Sequence, residues 1–193
     1  MITLGEKYKI EVIPLLMKEF GYKSPLAVPR IEKVVINSGF GKLVAGKSKD
    51  EHEKIQKSII EDLTLIAGHH PVSTKAKKSS AAFKLREGMT IGAKVTLRGL
   101  IMYGFLDKII HVALPRSRDF QGIKIKSVDG NGNLTIAFKE QISFPEVSPE
   151  KSKNIFGFEI TIVTSAENQE EGLRLLRALG FPIKTEENLK NTQ

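Results

Sequence analysis

Two hydrophobic periods alternate along this chain, and the points where one gives way to the other outline its elements. Leu4, Tyr8, Val12, Leu15 and Leu16 share a helical face that ends at Gly21. Pro14 inside that face predicts a kink, or a second short helix starting there. Pro25 and Pro29 punctuate a loop, after which Arg30 to Ser38 has the Val and Ile content of a first strand. A polar loop with Gly39, Gly41 and Gly46 leads to a second helix from about Asp50 to Ala67. Its buried stripe is Ile55, Ile59, Leu63 and Ile66, with Gly68 behind it. Pro71 to Lys75 is a short strand running into a loop, and Thr90 to Arg98 alternates almost perfectly as a strand.

Leu100 to Leu114 returns to helical spacing, with Met102, Phe105, Leu106, Ile109, Ile110 and Ala113 on one stripe, and Pro115 stops it. Ile123 to Val128 and Leu134 to Phe138 flank Asp129-Gly130-Asn131-Gly132-Asn133, a hairpin signal. Phe156 to Thr164 alternates again. The last helix starts near Asn168, with Glu171 placed for a capping box, and ends at Gly180 before Pro182. This order predicts an α+β fold: a mostly antiparallel sheet with helices packed on one face, its other face and a long basic loop left available. A single domain is expected over residues 1–183, followed by a polar tail over 184–193 that frays.

Charge changes this picture more than composition does. The chain has 193 residues, 40% hydrophobic and 27% charged, which are ordinary globular values. Of its net +8, the stretch Pro71 to Arg98 carries +6, leaving +2 for the other 165 residues. Lys75, Lys77, Lys78, Lys84, Arg86, Lys94 and Arg98 face one acid, Glu87. Such a patch is either a solvated lysine-rich loop or the footprint of a polyanion, most often nucleic acid. With no cysteine, thiolate metal sites, disulfides and cysteine nucleophiles are excluded. The N-terminus is charged where a signal peptide needs an apolar run, and Asp107 and Lys108 interrupt the greasiest segment. A soluble, intracellular, basic protein with no membrane association is expected.

In the Thr90 strand, Ile91, Ala93, Val95 and Leu97 point one way while Gly92, Lys94, Thr96 and Arg98 point the other. Lys33 and Asn37 share a face of the first strand. These polar sides suit RNA backbone and 2′-hydroxyls, or they merely face water at a sheet edge. The loop from Thr74 to Gly88 is too long for a simple hairpin. Its Lys, Arg and Ser match phosphate, its Phe83 stacks or anchors, and a flexible arm against structured RNA is expected.

Gly41 to Ser48 fits G-x-x-x-x-G-K-[ST], so a phosphate loop with Lys47 on the phosphates and Ser48 on magnesium is the competing assignment, a small nucleotide-binding protein. Asp50, Glu51 and Glu53 would repel phosphate there, no acidic strand end follows, and the parallel βα series is missing. His52, His69, His70 and His111 lack metal-ligand spacing, and no nucleophile elbow or carboxylate pair stands out. No enzyme, metal or cofactor is expected.

Several longer segments together resemble one family. They are Glu19-Phe20-Gly21-Tyr22, Val28-Pro29-Arg30-Ile31-Glu32-Lys33, Thr74-Lys75-Ala76-Lys77-Lys78-Ser79 and Phe83-Lys84-Leu85-Arg86-Glu87-Gly88-Met89. Ile91-Gly92-Ala93-Lys94-Val95-Thr96-Leu97-Arg98-Gly99 and Ala113-Leu114-Pro115-Arg116-Ser117-Arg118-Asp119-Phe120 complete them. Over about residues 5–183 the chain resembles the fifth protein of the large ribosomal subunit, in its bacterial or organellar form.

That resemblance implies a non-enzymatic ribosomal component that binds 5S rRNA and helps seat it in the central protuberance, beside large-subunit rRNA and neighbouring ribosomal proteins. In the family a Lys and an Asn of the first strand and a Thr of a later one make the contact, here Lys33, Asn37 and Thr96, with Lys94 and Arg98 on the same polar side. The basic loop, with Lys75, Lys77, Lys78, Lys84 and Arg86, is implied to reach the elbow of peptidyl-site tRNA. Loops after Leu114 are implied to bridge to a small-subunit protein. The implied location is the cytoplasmic ribosome or an organellar matrix. The chain departs from the family at Gly68-His69-His70-Pro71, where Gly-Gln-Lys-Pro is usual. It departs again in the longer Gly41–Asp50 loop, whose Lys42, Lys47 and Lys49 offer a further RNA contact.

Overall fold

The structure, a computed structural model, describes residues 3–118, 120–148, 152 and 154–184. Helix α1, Leu4–Lys7, opens with a reciprocal cap: the Thr3 hydroxyl accepts from the Glu6 amide, and the Glu6 carboxylate accepts from the Thr3 amide. It runs through one π turn, Tyr8–Val12, into α2, Ile13–Phe20. The π turn lies just ahead of Pro14, and the Ile13 amide reaches back to the Tyr8 carbonyl. Proline has no N–H to give and crowds the preceding turn, so a widened turn relieves both defects without breaking the helix. Leu4, Tyr8, Val12 and Leu16 are buried, whereas Leu15, expected beside them, is 47% exposed.

Strand β1 is Ile31–Gly39, and a short helix α3, Gly41–Val44, lies inside the expected polar loop. Helix α4, Lys49–Ala67, buries Ile55, Ile59, Leu63 and Ile66, as the spacing predicts. Strands β2, Val72–Lys75, and β3, Thr90–Leu97, follow. Helix α5, Gly99–Lys108, passes through a second π turn, Ile109–Ala113, into α6, Leu114–Arg116. Here the Leu114 amide reaches the Ile109 carbonyl just ahead of Pro115, repeating the device of the first helix.

Strand β4 is Leu134–Phe138, β5 is Phe158–Thr164, and α7 is Gln169–Leu179. The Asn168 side chain caps α7, while the Glu171 carboxylate takes the amide of Glu167. The α+β class therefore holds, with one five-stranded sheet in the order β2-β3-β1-β5-β4.

One expected strand is absent. Ile123 to Val128 forms an isolated bridge at Ile123, a 3-10 turn over Ile125–Ser127 and a bridge from Val128 to Leu134. The turn signal itself holds, because Asp129 accepts from the amides of Asn131 and Asn133 and from the Asn133 side chain. Burial alone would raise the Asp129 carboxyl, but those bonds outweigh it and hold it below its ordinary range. The arm before the turn is what differs: Ile123 and Val128 are buried by a tight turn rather than by a strand pleat.

By its contacts the chain divides into two compact units, the first comprising residues 1–34, 98–136 and 161–193, the second 35–97 and 137–160. In the first, the Tyr8 hydroxyl donates to the Pro29 carbonyl, and Arg174 pairs with Glu19 at 2.6 Å. In the second, His52 of α4 donates its Nε2 proton to the Thr90 carbonyl at 2.8 Å, tying the helix to the start of β3. Of the expected tail, Lys184 is held to Ile123 and Arg177; residues 185–193 lie outside the described residues.

Candidate RNA interface

Strand β3 has the two-sided character its sequence predicts. Ala93, Val95 and Leu97 are buried, and Lys94 and Thr96 between them are exposed. Gly92 allows the neighbouring strands to close on it: a Cβ there would lie 2.6 Å from the Thr74 hydroxyl and 2.8 Å from the Ser38 carbonyl. The β2–β3 pairing is antiparallel, Val72 opposite Lys94 and Thr74 opposite Gly92, with a bulge between Thr74 and Lys75.

On β1, Val34, Ile36 and Ser38 are buried while Asn37 is exposed and Lys33 half-buried. Arg98, just past β3, is exposed. Asn37, Lys94 and Thr96 belong to the second unit, Lys33 and Arg98 to the first. Among the described residues, none of the five has a side-chain hydrogen bond or ion pair. Their polar groups are not spent on the fold.

The basic loop differs from the expected flexible arm. The Ala76 amide donates to Met89 at 2.8 Å and the Gly88 amide to Ala76 at 3.0 Å, continuing the β2–β3 hairpin. The Ser79 hydroxyl accepts from the Glu87 amide, and Ser80 and Leu85 exchange two backbone bonds of 3.0 Å. A tight tip, closed by the Lys84 amide on the Ala81 carbonyl, completes a knitted extension. Ala76 is buried, but Lys75, Lys77, Lys78, Lys84 and Arg86 are exposed. Phe83 is 65% exposed at the tip, so it does not anchor the loop.

The phosphate-loop pattern does not make a phosphate loop. Residues 41–44 form a helical turn, and the amides of Ala45 and Lys47 donate to the carbonyls of Gly41 and Val44. The Ser48 hydroxyl caps α4 by accepting from the Glu51 amide, while the Glu51 carboxylate takes the Ser48 amide. Groups that would cradle phosphate and magnesium are thus already committed. Among the described residues, no group of three or more His, Asp or Glu is placed to hold a metal, and His69 contacts the Gly68 carbonyl. No helix of the described residues is long and apolar enough to cross a membrane.

Of the three lysines that the longer loop before α4 offers for a further RNA contact, Lys42 does not line the groove that Lys47 and Lys49 line. Lys47 and Lys49 share that groove with Lys84 and Arg86. Nothing in a linear pattern signals that meeting, because it depends on how the hairpin folds back.

Comparison with known proteins agrees with the sequence motifs. The profile described as ribosomal protein L5 matches residues 24–86, and the profile of the same ribosomal family's C-terminus matches residues 90–183. The large ribosomal subunit protein uL5 of Halothermothrix orenii is 51% identical over 183 residues, covering 95% of this chain and 99% of its own. That of Brevibacillus brevis is 53% identical over 182 residues, with 94% and 97% covered. That of Herpetosiphon aurantiacus is 52% identical over 184, with 95% and 99% covered. With half of its residues shared along nearly its whole length, the chain belongs to the ribosomal protein L5 family, a structural and non-enzymatic family.

Proposed function

We propose that this protein is a structural component of the large ribosomal subunit that binds 5S rRNA through the polar sides of β1 and β3. Lys33, Lys94 and Arg98 supply charge to phosphates, and Asn37 and Thr96 supply hydrogen bonds to backbone and 2′-hydroxyls. The basic hairpin, through Lys75, Lys77, Lys78, Lys84 and Arg86, contacts peptidyl-site tRNA. The subunit's rRNA and neighbouring proteins are the further partners, with a small-subunit protein met through the loops after Leu114. Relatives of about half identity are large-subunit proteins by name, which supports the assembly.

The observation that carries the RNA reading is the exposed Lys94-x-Thr96 pair opposite a fully buried Ala93, Val95 and Leu97. A cation and a hydroxyl stand free on a strand whose other side is core. A titration against 5S rRNA and a size-matched unrelated RNA, at low and at physiological salt, tests it. Selective binding that survives rising salt is expected, since non-specific phosphate attraction falls steeply and treats both RNAs alike. Lys33→Ala and Asn37→Ala should weaken 5S rRNA binding in folded protein, and unchanged affinity would remove the sheet-face assignment.

A further inference from the structure

The hairpin's five cations are not equivalent. Lys84, Arg86 and Glu87 of the hairpin line an open groove of about 790 Å³ together with Lys47, Lys49 and His52 at the start of α4. Lys75, Lys77 and Lys78 do not line it. The two segments meet at Gly46, where a Cβ would lie 3.4 Å from Cδ of Lys84.

Lys84 also has a φ of 51°, the one left-handed backbone among the described non-glycine residues. A lysine is disfavoured there because its Cβ crowds the carbonyl that follows. The strain falls at a residue that lines the groove.

We infer that this groove holds a second stretch of RNA phosphate backbone, gripped between the hairpin and the segment that leads into α4. The inference rests on the ribosomal reading and extends it to Lys47 and Lys49, which lie outside the basic hairpin. Four cations against one acid favour a polyanion. The lining has no Phe, Tyr or Trp, and its one imidazole, His52, is tied to the Thr90 carbonyl, so it suits backbone phosphates more than unstacked bases, which need stacking partners. The lysine of the phosphate-loop look-alike thus meets phosphate by a different geometry, as one wall of a channel.

Because the chain has no cysteine, Ala81→Cys places a single tether at the groove. An iron chelate on that cysteine cuts RNA backbone nearby in large subunits assembled with the full chain. Cutting of one continuous RNA run is expected. It should fall to the level of cysteine-free subunits when Lys47→Ala and Lys49→Ala are added, and persist when Lys77→Ala and Lys78→Ala are added instead. A chain that enters the subunit but cuts no RNA from this position, or cuts a neighbouring protein instead, overturns the inference while leaving the ribosomal reading intact. Cutting that ignores Lys47 and Lys49, or that depends equally on Lys77 and Lys78, overturns it too. Failure to enter the subunit would sink both together.

Discussion

The β2–β3 and β4–β5 connections are both long and irregular, yet the second unit uses them in opposite ways. The β4–β5 connection turns inward. Phe138 stacks on Phe158 with ring centroids 5.4 Å apart, Phe144 meets Phe138 edge-on at 5.4 Å, and Phe144 and Phe156 are buried. Gln141, 0% exposed, supplies the hydrogen bonds that a strand ladder would have given. Its Nε2 donates to the Ser152 hydroxyl and the Asn154 carbonyl, each at 2.7 Å, and its Oε1 accepts the Phe156 amide. The Ser152 hydroxyl donates in turn to Asp62 on α4. The β2–β3 connection satisfies its backbone by folding on itself and turns its cations outward. Where an irregular segment buries rings around a side-chain amide it serves the fold; where it closes its own backbone and exposes charge, its side chains are free for a partner.

Substitutions break this contrast in a graded way. Phe144→Ala empties the centre of the ring cluster and should cost about 3–5 kcal/mol, read from urea denaturation. The same truncation at exposed Phe83 should leave the midpoint unchanged. Gln141→Ala strands the buried Phe156 amide and should cost about 1–3 kcal/mol, with Gln141→Glu as a shape-preserving comparison that retains the acceptor.

Asp62 gives a smaller, pH-dependent signal. Burial lifts its carboxyl above the ordinary value of 3.8, the bond from Ser152 pulls it part of the way back, and Glu61 raises it further. The folded state therefore binds this proton more tightly than the unfolded chain does. Its stabilising contribution is present below 3.8 and is lost as pH rises through the folded pKa. Asp62→Asn should flatten that limb of a stability-versus-pH curve, and an unaltered limb would show that other groups set it. Smallest in stability, Lys77→Ala with Lys78→Ala should stay within about 0.5 kcal/mol of the parent. The same pair should weaken tRNA contact in assembled ribosomes more than 5S rRNA affinity, and equal losses would erase the division between hairpin and sheet.

What the sequence made legible tracks how local the physics is. The two sides of β3 follow from a period of two, so Lys94 and Thr96 could be placed from the pattern alone. Helix α4 announced its stripe and its glycine stop. By contrast, Ile123, Ile125 and Val128 have a spacing that serves a strand or a tight turn equally, and only tertiary packing chooses the turn. The order of the hairpin's backbone bonds was hidden because Ser, Lys and Ala carry little register information. The groove was hidden more deeply, since its two walls are separated by α4 and β2 in the chain and meet only once both have folded.

The π turn before Pro14 has a consequence for helical phase. Leu4, Tyr8, Val12 and Leu16 are buried at a strict interval of four, and in an α-helix each such step overshoots a full revolution by about 40°. Three steps would carry Leu16 about 120° around the cylinder from Leu4, away from the core. One extra residue in a widened turn absorbs about 100° of that rotation. The four-residue beat and the proline therefore demand the same detour: one keeps the apolar seam straight, the other needs the room. A helix in which two independent constraints agree on where to unwind has its azimuth fixed along its whole length.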